Sequence, residues 1–67
     1  MNKTFVRLEM SKIRAKEGES IRAAAKREAR NWFNVLYEDD SNVSVKAIGI
    51  HEIDMTKEEL VVVVVWD

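Results

Sequence analysis

The chain has no cysteine, a single histidine, two isolated glycines and no apolar run longer than the seven residues Leu60 to Trp66. Each shortage closes off a class of function. Without thiols there is neither a disulfide framework nor a cysteine-ligated zinc to reinforce a small core. Seven apolar residues fall far short of the ~20 that a helix needs to cross a bilayer, so no membrane partner is expected. The opening Met1-Asn2-Lys3-Thr4 leads into a strand pattern and not into a cleavable apolar segment, and a soluble, cytoplasmic protein is the expectation. Gly18 and Gly49 stand alone, so no loop is built to cradle a phosphate, and no serine sits in a nucleophile elbow.

The lone histidine, His51, has Glu52 and Asp54 nearby, but alternation along a strand turns it away from both, and no second histidine or cysteine would complete a ligand set. The triplet Glu38-Asp39-Asp40 lacks the spacing and the glycine of a calcium loop. No catalytic residue, metal site or cofactor is therefore expected, and the chain reads as a non-enzyme.

What is present is charge, unevenly spread. Residues 1 to 30 carry nine basic groups against four acidic ones, and residues 31 to 67 carry two against eight. Such polarity either steers a charged partner or is neutralised across the fold. In 67 residues there is room for a single domain, 1 to 67, whose folding buries roughly 60% of the surface that the unfolded chain exposes.

Between Thr4 and Met10 the residues alternate, with Val6, Leu8 and Met10 on one face and Phe5, Arg7 and Glu9 on the other, the period of a half-buried strand. The parity slips at Ser11-Lys12, and Ile13 and Ala15 continue it in the opposite sense. One long bent strand is predicted, or two if it breaks there. Ser20 is a good N-cap, so a helix should start at Ile21. At 100° per residue its apolar stripe comprises Ile21, Ala25, Ala29, Trp32 and Leu36, widened by Ala24 and Val35. Glu28 falls near the middle of that stripe, where a carboxylate must reach the rim towards a basic residue.

Glu38-Asp39-Asp40-Ser41-Asn42 ends the helix, since acidic groups oppose the macrodipole there and this composition favours turns. Val43 to Met55 reads as a second strand with a parity slip around Gly49. A turn over Asp54 to Glu59 follows, and then the final strand Leu60 to Trp66, too short and too β-branched for a helix. The fold class is thus α+β: a β-α-β-β chain with one helix on a mostly antiparallel sheet of three strands, four if the first strand breaks, in the order 2-3-1. The last strand is central, with one face under Trp32 and Leu36. Its other face, Val61, Val63 and Val65, needs cover and is a candidate for homodimer formation through the sheet.

The outer face of the helix carries the other candidate site. Arg22, Lys26 and Arg30 form an i, i+4, i+8 ladder, Arg27 lies alongside, and Phe33 and Tyr37 fall in the same arc. Basic and aromatic groups together can anchor a protein contact, or can bind phosphates and stack on bases.

At Ile13-Arg14-Ala15, followed by Ser20-Ile21-Arg22-Ala23-Ala24, the chain resembles small phage- and plasmid-encoded proteins in which a first strand leads to a capped, alanine-rich helix and then a hairpin. Some anti-CRISPR proteins share this β-α-β-β layout. The resemblance implies an inhibitor or accessory factor that masks a surface of a bacterial host protein complex, in the host cytoplasm, and it transfers no site residue. A nucleic-acid-binding protein is the rival expectation. A designed chain without natural function is the third, and the parity slips and Glu28 stand against it.

Overall fold

A strand with seven consecutive apolar residues is stable only where both of its edges are paired and both of its faces are at least partly covered, and the fold puts it there. The computed structural model describes residues 1–40 and 42–67. Strand β1 (Asn2–Glu9) leads through a single 3₁₀ turn (Met10–Lys12) to helix α1 (Ile21–Leu36), then to β2 (Val45–Asp54) and β3 (Glu59–Trp66). The strands form one sheet in the order β1-β3-β2, with β3 antiparallel to both neighbours. The expected α+β architecture and central last strand are therefore observed, with three strands, paired antiparallel, among the described residues.

β1 pairs with β3 without interruption, from Asn2 opposite Trp66 to Glu9 opposite Glu59. Its strand ends earlier than the predicted bend. The Met10 N–H donates to the Glu58 carbonyl at 2.9 Å in continuation of the ladder, and the Ile13 N–H then donates back to the Met10 carbonyl at 3.2 Å. The parity slip at Ser11-Lys12 is this 3₁₀ turn. It swings Ile13 into the core and leaves Ala15 exposed.

β2 meets β3 with two register shifts, at Lys46 and at His51, each of which leaves one residue of β2 without an opposite number. The slip expected at Gly49 is thus displaced to either side of it. Gly49 sits opposite Val63 in the regular stretch, and a methyl group there would meet only Val63 Cγ1 at 3.9 Å. Between β2 and β3 the chain turns through Met55 to Glu58, held by the Lys57 N–H on Asp54 Oδ1 at 3.0 Å.

Leu60, Val62 and Val64 point to the helix and form the core with Val6, Ile13, Ala24, Ala25, Ala29 and Phe33. The helix begins where predicted, with Ser20 Oγ accepting from the Ala23 N–H at 3.1 Å. Its buried side is another matter. The residues that meet the sheet are Ala25, Ala29, Phe33 and Tyr37, a single i, i+4 row, with Ala24 beside it. Rows of that spacing are inclined to the helix axis, so a helix that crosses a twisted sheet obliquely buries such a row and not an averaged stripe. Trp32 and Leu36, expected over β3, are 47% and 57% exposed, and Ile21 and Val35 are exposed as well.

Beyond the helix the Asp40 N–H bonds to the Tyr37 carbonyl, and Asp40 Oδ1 accepts from the Asn42 N–H. Ser41, placed in this turn by the sequence, lies outside the described residues.

Candidate functional site

The six residues of the predicted basic and aromatic face separate into three groups. Arg22, Lys26 and Arg30 remain a row along one flank of α1, with Arg22 and Arg30 exposed and Lys26 half-buried. That flank faces the β2 side. Arg30, Asn34 and Tyr37 there line an open groove of about 460 Å³ whose far wall is the stretch Val43 to Val45 and whose rim carries Glu38 and Asp40.

Phe33 and Tyr37 do not lie on the outer face. Phe33 is 1% exposed, a core residue, and Tyr37 is half-buried. Their rings lie 4.6 Å apart, and Tyr37 stands 5.3 Å from Trp66. The two aromatics thus form the floor of the groove, and only the Tyr37 edge is open to a ligand. The reason is the inclined row: Phe33 and Tyr37 continue Ala25 and Ala29, so whatever buries the alanines buries the aromatics.

Arg27 belongs to the opposite flank. Its Nε donates to Glu19 Oε2 at 3.0 Å and a terminal nitrogen donates to Glu19 Oε1 at 2.9 Å, a two-pronged ion pair, while that nitrogen also bonds to the Arg14 carbonyl at 2.7 Å. The Arg27 guanidinium, joined by the Lys16 N–H, holds the Glu19 carboxyl down to about 2, and the same contact with Glu19 raises Arg27. Next to it Glu28 reaches the rim as expected, but its partner is the Arg14 backbone N–H at 2.7 Å and not a basic side chain. Arg27 therefore pins the loop between β1 and α1, and it has little left to offer a partner.

The valine row of β3 is also not as bare as its sequence suggests. Val61 is 4% exposed, and Val63 and Val65 are half-buried. The rings of Phe5 from β1 and His51 from β2 meet 4.7 Å apart across the central strand. The bulge makes this contact. As the extra residue between Ile50 and Glu52, His51 joins Glu52 on the open face, which corrects the alternation that turned the two apart. The exposed Arg7 and the half-buried Glu59 add an ion pair of 3.7 Å on the same face.

Besides Ile21 at the start of the helix, the sequence placed in the core and the fold leaves outside Trp32, Val35 and Leu36, an apolar patch on the C-terminal half of α1. The signal that separates the two rows was Glu28. The averaged stripe ran through that carboxylate, whereas the row Ala25, Ala29, Phe33, Tyr37 contains no charge.

No family of known proteins, no curated protein and no solved structure matches this chain. Among the described residues no helix is long and apolar enough to cross a membrane.

Proposed function

We propose that the chain is a non-enzymatic protein-interaction module, an inhibitor or accessory factor that docks on a host protein complex through the β2 flank of its helix. The observation that carries this reading is the groove between α1 and the start of β2. Arg30 stands on one side of it, Tyr37 opens at its floor, and Glu38 and Asp40 lie on its rim. Arginine and tyrosine are the residue types that anchor protein contacts, and charges of both signs within one groove fit a protein surface carrying both. Phosphate binding is disfavoured by the same acids, which would repel the backbone that Arg22, Lys26 and Arg30 attract. The β-α-β-β order shared with small phage-encoded inhibitors supports the reading, and with it a place in a host cytoplasm.

The test compares the wild-type chain with an Arg22→Glu/Arg30→Glu double variant as bait in a nuclease-treated bacterial lysate. The wild type should retain a stoichiometric protein partner that the variant loses. Retention of the same protein by both baits, or of none by either, contradicts the proposal. Direct oligonucleotide binding that falls steeply between about 50 and 200 mM salt would favour nucleic acid instead.

A further inference from the structure

The two edges of the sheet differ. β2 is broken by bulges at Lys46 and His51, a device that keeps an edge strand from pairing with another chain. β1 has none, and its eight residues run in unbroken register along β3. Hydrogen-bonded pairs alternate along an antiparallel ladder. Because the Met10 N–H bonds to Glu58, its opposite number in that register, the even-numbered residues of β1 spend their backbone groups on β3. The odd-numbered Lys3, Phe5, Arg7 and Glu9 present theirs at the free edge.

We infer that this edge pairs with the β1 edge of a second copy, antiparallel about a two-fold axis at Val6. Registers that bring odd residues opposite odd residues keep both helices on the same face of a six-stranded sheet. Of the three nearest the strand centre, two set like charges opposite, Lys3 against Arg7 in one and Arg7 against Arg7 in the other. The third sets Lys3 against Glu9 and Phe5 against Arg7, both ways round, and adds about eight backbone hydrogen bonds.

That register also gives the exposed helix patch an occupant. Arg30 and Tyr37 line the β2 groove, so Trp32, on the other side of Phe33, projects over β1. Phe33 abuts Trp66, which bonds to Thr4, and this sets Trp32 near the level of Thr4. In the chosen register Thr4 lies opposite Leu8 of the other copy. Leu8, Lys12, Ile13 and Glu28 line a hollow of about 260 Å³ on the β1 flank. Trp32 of each copy enters the hollow of the other, the reciprocal contact of a two-fold interface. This surface is distinct from the β2 groove, so dimer and host-partner binding fail or succeed independently.

Sedimentation equilibrium at micromolar to hundreds of micromolar chain tests it. The wild type should approach twice the chain mass. Trp32→Glu, at a side chain half exposed in the single copy, should weaken the dimer more than about tenfold, the scale of an interface anchor. Lys3→Glu and Glu9→Lys should each weaken it, and the double swap should restore it. Circular dichroism checks that each variant stays folded. A wild type that is monomeric throughout overturns the inference, as does a dimer indifferent to Trp32→Glu or a charge swap that restores nothing.

Discussion

The ring of Phe33 lies 5.8 Å from that of Trp66, at 53° to it, and this contact ties the helix to the end of the central strand. Tyr37 closes a triangle with both rings. The Trp66 Nε1–H then donates to Thr4 Oγ1 at 2.9 Å, so the cluster joins α1, β3 and β1 at one end of the sheet. Offset and tilted aromatic pairs of this spacing add about 0.5–1.5 kcal/mol each beyond their burial.

The Thr4 hydroxyl is the polar end of that cluster. Thr4→Val keeps shape and strand preference but leaves a half-buried indole N–H without its acceptor, and should cost about 1–2 kcal/mol. Thr4→Ser should retain most of the stability. Urea denaturation of the two variants decides it, and equal midpoints for Thr4→Val and wild type would contradict the assignment.

The clamp at Arg27 predicts a pH dependence. Glu19 is held at about 2 in the folded chain against an ordinary value of 4.5. A depressed carboxyl contributes stability that is fully present above its unfolded value and lost as pH falls towards the folded one. The wild type should therefore lose more stability between pH 5 and about 2 than Glu19→Gln, and the two curves should converge at the acid end. Parallel acid limbs in denaturant melts across that range would show that the ion pair adds nothing.

Much of this fold could be read from local chemistry. Ser20 marked the helix start because its hydroxyl can accept from the free N–H groups of a first turn, and Leu60 to Trp66 came out central because a hairpin with the strand before it leaves it antiparallel to the first strand, a position that its two apolar faces fit. The placements that failed depended on geometry between elements. A helical wheel averages over the whole helix and so selected Trp32 and Leu36, whereas the twisted sheet selects the inclined row through Phe33. The candidate site moved for that reason: Arg22, Lys26 and Arg30 kept their flank, and the aromatics sank to the floor beside them. Arg27 was lost to Glu19, a partner eight residues back and just ahead of the N-cap, outside the helix whose periodicity was read. The bulge at His51 likewise follows from pairing with β3 and not from the composition of β2.

Which face of α1 is core decides every surface assigned above, and two neighbouring residues report it. Chemical denaturation of Phe33→Ala and Trp32→Ala, at concentrations low enough for single copies, should give opposite answers. Phe33→Ala should cost about 3–5 kcal/mol, a large part of the 5–15 kcal/mol typical of a domain. Trp32→Ala should stay within about 1 kcal/mol of wild type. A severe loss on removing Trp32 with Phe33→Ala tolerated would place the averaged stripe in the core and contradict the account.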